Sequence, residues 1–161
     1  MTKRLVHTMT YDAPVDAVAA MLADPSFREE VCRNQRATSY DVRVEGSHGD
    51  PMRLRVEMTQ PTDKVPSFAK KVVGSSTTIV LTETWPALDR GELHIEIPGK
   101  PGAMAGTVVL EESGGVTTET VTLDVTVRIP LVGGKIEDLL AQLMGSAMRA
   151  EERTGKAYLA R

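Results

Sequence analysis

Apolar and polar residues alternate along most of the chain before residue 130, which predicts an antiparallel sheet with one face in water. The clearest case is 117–129, where Val121, Leu123, Val125 and Val127 alternate with threonine, aspartate and arginine. The same alternation predicts strands at 3–11, 38–45, 52–59, 77–85, 92–97, 103–112 and 117–129. Turn sequences rich in glycine, proline and aspartate separate most of these strands.

Helical spacing of apolar residues occurs in two places. Residues 12–34 predict two short helices, because Asp24-Pro25 interrupts the pattern and a residue before proline avoids helical geometry. Phe27 is expected to turn inward from the second of them. Residues 61–76 fit a loop with a short helical turn around 68–73.

Residues 134–159 predict one long amphipathic helix. Its apolar stripe contains Ile136, Leu139, Leu140, Leu143, Ala147, Ala150, Thr154 and Tyr158. Six successive strands expose an apolar face that must be covered, and only this helix is long enough to cross it, at about 1.5 Å per residue. A curved sheet cannot close tightly along a whole helix, so we expect a cavity between them, where small apolar ligands usually bind.

The order β-αα-β6-α, together with the stretches "TYDAPVDAVAAMLADPSF" (10–27) and "IPLVGGKIE" (129–137), resembles the START-like helix-grip superfamily. That superfamily includes lipid-transfer domains, pollen-allergen-like proteins and polyketide cyclases, and the chain looks like an uncharacterised bacterial family within it. The resemblance implies an α+β fold in which a curved seven-stranded antiparallel sheet wraps around the C-terminal helix, as one domain over residues 1–161. It also implies a hydrophobic ligand in the cavity, with cyclisation or dehydration as an activity of some members.

Composition narrows the function classes. A net charge of -3 and a pI near 5.7 argue against a general nucleic-acid binder, which needs a basic surface. No apolar run is long enough for a membrane span, and the N-terminus lacks the pattern of a signal peptide. The single cysteine, Cys32, suits a reducing compartment. We therefore expect a cytoplasmic protein with no stable membrane insertion, and the sequence leaves its oligomeric state open.

The Gly-Gly-Lys at 133–135 suggests a phosphate site at the head of the last helix. A P-loop, however, needs a glycine five residues before Gly134 and a hydroxyl two residues after it. Ile129 and Ile136 occupy those positions. The glycines are therefore interpreted as a hinge at which the backbone reverses tightly.

Metal and nucleophile chemistry has little support in the sequence. There is no His-x3-His, Cys-x2-Cys or clustered carboxylate pattern, so no metal, cofactor or catalytic residue is assigned. His48 lies in a turn and His94 on a polar strand face, whereas His7 shares an apolar face with its neighbours. A lone inward histidine is more often a hydrogen-bonded core residue than a titrating one. Cys32 is interpreted as a small buried apolar residue.

Glu83 is the most informative single position, because it shares a strand face with Ile79, Leu81 and Trp85. A carboxylate turned toward an apolar cavity has a raised pKa and can act as an acid, a base or a ligand anchor. The alternatives are a register shift near Pro86, or a position at the sheet end that reaches solvent, and they are favoured because buried unpaired carboxylates are rare. The candidate cavity residues are His7, Tyr11, Phe27, Glu83, Trp85, Leu140, Met144 and Ala147.

Three functions remain open. The leading hypothesis is a non-enzymatic binder or carrier of a small hydrophobic molecule, lipid-like or polyketide-like. The eight methionines and 4% aromatic residues favour it, because methionine lines surfaces that accept variable apolar shapes. The alternative is an enzyme of the cyclase or dehydratase type, with Glu83 or His7 assisting proton transfer in the same cavity. A weaker alternative is a co-chaperone-like protein-interaction module, which needs a large exposed apolar patch.

Overall fold

The computed structural model describes residues 2–47 and 49–161, so the prediction for His48 lies outside the described residues. The strands are β1 (Thr2–Tyr11), β2 (Ser39–Glu45), β3 (Met52–Pro61), β4 (Ser76–Ala87), β5 (Arg90–Glu96), β6 (Gly102–Ser113) and β7 (Val116–Val127). The helices are α1 (Val15–Leu22), α2 (Pro25–Asn34), α3 (Ser67–Val73) and α4 (Gly133–Leu159). All strands pair antiparallel in one sheet of order β1-β7-β6-β5-β4-β3-β2.

The predicted α+β architecture is confirmed, with a seven-stranded antiparallel sheet and a long C-terminal helix against it. The helical turn expected around 68–73 is α3, a helix of seven residues. None of the helices in the described ranges is long and apolar enough to cross a membrane. The order of strands and helices therefore follows the hydrophobic periodicity of the sequence.

Helix α4 does not lie over the middle of the sheet. It packs against β1, β7 and α2, and its contacts with the strands from β3 to β6 are few. The close approach to β1 depends on Gly155, where an added Cβ atom would come within 2.6 Å of Tyr11 Cε1 and 3.1 Å of Met21 Cε. The apolar face of the sheet is thus divided into a half that the helix packs and a half that stays open.

The junction between β7 and α4 corrects the predicted glycine hinge. The backbone reverses at Leu131, which has φ 72°, whereas Gly133 and Gly134 already belong to the helix. At Gly133 there is no room for a side chain, because a Cβ atom on it would lie 2.7 Å from the carbonyl oxygen of Val127. The buried Glu137 side chain accepts a hydrogen bond from the backbone N–H of Val127 at 2.9 Å, which holds the helix start against the strand end.

Gly155→Ala and Gly134→Ala are expected to change stability in opposite directions. Alanine normally favours a helix over glycine, and Gly134 has no atom within 4 Å of an added Cβ, so that variant gains about 0.5 kcal/mol. At Gly155 the clash with Tyr11 outweighs this gain and costs about 1–3 kcal/mol. Urea unfolding of both variants measures the free energies. An equal gain in stability at the two positions would contradict the tight packing of α4 on β1.

Candidate ligand cavity

A cavity of about 580 Å³ occupies the space between α4 and the open half of the sheet. The helix contributes an apolar wall from Ile136 to Ala150, and the opposite wall comes from the inward residues of β3 to β7. Residues of α2, of the loop after β3 and of α3 close the sides. Its apolar lining includes Val56, Met58, Ile79, Leu81, Leu93, Ile95, Met104, Val108, Val121, Leu140, Met144, Ala147 and Met148.

The cavity has one cysteine in its wall, and that thiol is protonated at neutral pH. Cys32 is 2% exposed, and its burial raises the pKa of the thiol to about 11. A thiol in this state is a poor nucleophile, because the thiolate is the reactive form. Across the described residues, no group of three His, Cys, Asp or Glu side chains is placed to hold a metal ion.

Four charged side chains from four elements form a buried cluster in the cavity wall, which we call the acidic cluster: Arg28 of α2, Glu83 of β4, Glu119 of β7 and Glu151 of α4. The Arg28 guanidinium contacts both oxygens of Glu83, at 3.0 and 3.4 Å, and one oxygen of Glu151 at 3.3 Å. Its Nε donates to the backbone carbonyl of Leu22 at 2.8 Å. The one guanidinium therefore joins α2 to β4, α4 and the end of α1.

Glu83 lies on the inner face of β4, where the strand alternation places it, and not in either of the two alternative positions that the rarity of buried unpaired carboxylates favoured. The register of β4 against β5 shifts only after Thr84, so Glu83 still pairs with Leu93 on one side and with Leu54 on the other. Its Oε1 also accepts a hydrogen bond of 2.8 Å from Trp85 Nε1. The carboxylate is 6% exposed and is fully engaged by Arg28 and Trp85.

The other two carboxyl groups hold their protons more strongly than usual. Burial raises the pKa of Glu119 well above its ordinary value, and the charges of Glu151 and Glu83 add to the effect. Burial also raises the pKa of Glu151 to about 7, although Arg28 opposes the shift. Glu119 is 4% exposed, and its Oε1 has no hydrogen-bond partner. The cavity thus contains one carboxyl group, that of Glu151, which can exchange a proton near neutral pH.

The structure separates the eight candidate residues into two groups. Glu83, Leu140, Met144 and Ala147 line the cavity. The remaining four, which lie outside its wall, are His7, Tyr11, Phe27 and Trp85.

These four residues lie in three different surroundings. Tyr11 and Phe27 are fully buried in the core, where burial raises the pKa of the Tyr11 phenol and Phe27 packs edge-on against Tyr158. Trp85 is 4% exposed and approaches the cavity only through its hydrogen bond to Glu83. His7 is half-buried on β1, and its Nε2 has no hydrogen-bond partner.

Sequence reasoning missed three of the four charged residues. Glu119 carried the same signal as Glu83, because it lies two residues before Val121 on the inward face of β7. Glu151 lies at the margin of the apolar stripe of α4, next to Ala150. Arg28 lies in a short helix of low mean hydropathy, where nothing in the spacing marks a buried arginine.

The sequence matches the family described as "Protein of unknown function (DUF2505)" over residues 6–159. An uncharacterized protein of Mycobacterium tuberculosis is 29% identical over 126 residues, which are 73% of this chain and 72% of that protein. Two solved structures extend the comparison. The di-domain ARO/CYC protein BexL of the BE-7585A biosynthetic pathway has a TM-score of 0.69 at 19% identity, over 97% of this chain and 49% of BexL.

A START superfamily protein from Mycobacterium smegmatis has a TM-score of 0.56 at 14% identity, over 96% of this chain and 95% of that one. At such identities the likeness concerns the fold. The predicted START-like helix-grip fold is thereby confirmed.

Glu151→Gln is expected to change how stability depends on pH. The native pKa of Glu151, about 7, exceeds its ordinary value of 4.5, so its contribution to stability is fully present below pH 4.5 and is lost as the pH rises through 7. Glutamine resembles the protonated carboxyl and keeps that contribution. The variant should match the wild type at pH 5 and exceed its free energy of unfolding by about 1–3 kcal/mol at pH 8.

Urea unfolding between pH 5 and pH 8 measures the difference. Glu111→Gln, an exposed position on β6, is the matched control and should follow the wild-type profile. Parallel profiles for Glu151→Gln and the wild type would show that Glu151 does not titrate in this range.

Proposed function

This chain belongs to the DUF2505 family, and we propose that it binds or carries a small hydrophobic molecule in the cavity between α4 and the sheet. The observation that carries the proposal is a cavity of about 580 Å³ with a predominantly apolar wall. Sites for small molecules have volumes of about 300–1,000 Å³, with an apolar lining and a few polar groups that fix orientation. The acidic cluster supplies such polar groups in this cavity.

The side chains of the wall suit ligands of variable shape. Met58, Met104, Met144 and Met148 all line the cavity. Methionine has three rotatable bonds and a polarisable sulfur atom, so it adapts to irregular apolar surfaces. These residues favour a binder that tolerates related molecules over one that fits a single rigid shape.

The exposed apolar residues are better explained as part of the opening through which a ligand enters the cavity than as a separate surface that docks another protein. Large exposed apolar side chains within the described ranges include Val6, Phe68, Leu131, Val132 and Leu143. Leu143 lines the cavity while being 41% exposed, so it lies at the opening. Phe68 of α3 is covered on one ring face by Lys135, whose Nζ lies 4.9 Å from the ring centroid. The position of Leu143 favours ligand entry at this edge of α4 over the alternative of a protein-interaction module.

Ala147→Trp is expected to block ligand binding, because the indole would project from α4 into the cavity that Ala147 lines. The neutral fluorescent probe N-phenyl-1-naphthylamine reports on binding. Its affinity should fall by about tenfold or more in this variant, the loss that follows from about 1.4 kcal/mol of lost contact. Ala157→Trp, on an exposed position of the same helix, is the control and should bind as the wild type does.

Failure of the probe and of neutral aliphatic alcohols to bind the wild type at all would refute the proposal. Equal affinity in Ala147→Trp and Ala157→Trp would move the binding site away from the cavity. Circular dichroism of both variants establishes that they are folded, and native mass spectrometry gives the number of bound probe molecules.

Proton-transfer catalysis is the second candidate function. The observation that favours it is the pair Glu119 and Glu151, two buried carboxyl groups with raised pKa values in the cavity wall. The similarity to BexL, which is described as an ARO/CYC protein, gives the idea further support. In this proposal Glu119 and Glu151 take the roles that the sequence suggested for Glu83 and His7, because Glu83 is paired with Arg28 and His7 lies outside the cavity wall.

Exchange of the α-protons of 2-decanone in deuterated water tests this second function. A cavity carboxylate that removes an α-proton should accelerate the exchange, and Glu151→Gln should return the rate to about that of buffer. Glu111→Gln serves as the control and should retain the acceleration. NMR measures the exchange, and a wild-type rate equal to that of buffer would remove the catalytic role for this class of ketone.

A further inference from the structure

We propose that the cavity selects an apolar molecule that carries a protonated amine, and that Glu119 and Glu151 bind this amine at the acidic cluster. The inference rests on the proposed function, since it names the ligand class of the same cavity. It depends on how the charges and hydrogen-bonding capacity of the cluster are distributed among Arg28 and the three carboxyl groups.

The guanidinium of Arg28 already has hydrogen-bond partners within the protein. Arginine has five N–H donors. One donates to the carbonyl of Leu22, two contacts reach Glu83, and one reaches Glu151. The paired geometry with Glu83, at 3.0 and 3.4 Å, is the arrangement that arginine prefers with a carboxylate. Arg28 is thus unsuited to recruit an anionic ligand, because four of its five donors face protein oxygens.

Glu119 can accept a hydrogen bond from a ligand. Its side chain lines the cavity, is 4% exposed, and has one oxygen without a hydrogen-bond partner. A buried polar atom without a partner costs free energy that a ligand donor would recover. Glu151 uses one oxygen for Arg28, and its side chain is 14% exposed. Both carboxyl groups can therefore accept a hydrogen bond from a molecule in the cavity.

The charges of the cluster favour a cation. Three carboxyl groups face one guanidinium, which gives a formal charge of 1 − 3 = −2 when all are ionised. Burial raises the pKa of both Glu119 and Glu151, and the neighbouring carboxylate charges add to the rise, so an excess of negative charge is unfavourable in this buried site. An alkylammonium group supplies one positive charge and three N–H donors. It would stabilise the ionised carboxylates through charge-assisted hydrogen bonds.

The same charges disfavour fatty acids and other anions at this end of the cavity. A ligand carboxylate next to Glu119 and Glu151 would add like charge in a buried setting. Other cationic residues of the cavity wall, namely Arg36, Lys64 and Arg153, are exposed, and water and salt screen their charges. Arg36 is also paired with Asp63. A neutral alcohol would fit without repulsion but would lack the ionic attraction.

Three ligands of equal chain length test the inference: decylamine, 1-decanol and decanoate, each displacing N-phenyl-1-naphthylamine from the wild type at pH 7.5. We expect decylamine to bind about tenfold more tightly than 1-decanol, and decanoate to bind more weakly than 1-decanol. Glu119→Gln should reduce the preference for the amine over the alcohol by about tenfold. Glu92→Gln, an exposed position on β5, removes the same charge from the protein and should retain the preference.

The outcomes separate this inference from the function on which it rests. Binding of the probe and of 1-decanol without preference for the amine, or with preference for decanoate, would overturn the inference and leave hydrophobic binding in place. No binding of any of the four molecules would overturn both. Glu151→Gln is the second variant, in case Glu119→Gln does not fold. Retention of the amine preference in whichever of these variants is folded would overturn the assignment of the site to these carboxyl groups.

Discussion

The buried guanidinium of Arg28 is the interaction on which the candidate site depends. It reaches Glu83 and Glu151 and the carbonyl of Leu22, and so fixes α2 relative to β4, α4 and α1. A buried charge of this kind is costly to desolvate, and loss of Glu83, which contacts the guanidinium with both oxygens, is expected to cost about 3–5 kcal/mol because the arginine charge is left uncompensated. The contacts that hold the helices on the sheet are therefore the same contacts that place carboxyl groups in an apolar cavity.

The cavity follows from an uneven division of the apolar face of the sheet. Gly155 lets α4 approach Tyr11 closely, so the helix packs on the side of β1 and β7. The strands from β3 to β5 are then left facing open space, with side chains such as Ile79 and Ile95 as a wall. Outside the acidic cluster, packing of α4 and ligand binding thus use different halves of one surface, and substitutions there can affect them separately.

This division also explains how far the sequence could predict the site. Strand alternation identifies which residues face inward, and it correctly places Glu83 on the inner face of β4. It cannot distinguish the packed half from the open half, because Tyr11 and Glu83 carry the same periodic signal. That distinction depends on where the helix lies, which is set by a contact between distant residues such as Gly155 and Tyr11.

The other differences between the sequence-based predictions and the structure have equally specific causes. Glu119 could have been found from the alternation of β7, whereas the inward position of Arg28 depends on partners from other elements. The glycine hinge was wrong because glycine serves two purposes that a sequence does not separate. Glycine permits unusual backbone angles, and it also permits close approach, which is its role at Gly133.

Trp85 gives the acidic cluster an optical property. It is the only tryptophan of the sequence, it is 4% exposed, and its indole N–H donates to Glu83 at 2.8 Å. The indole also lies over Gly91, where a Cβ atom would come within 2.7 Å of the ring, so its position is confined. Emission excited at wavelengths that tyrosine does not absorb therefore comes from a single indole that is hydrogen-bonded to the charged cluster. The chain thus contains an intrinsic reporter of the electric field at one end of its own cavity.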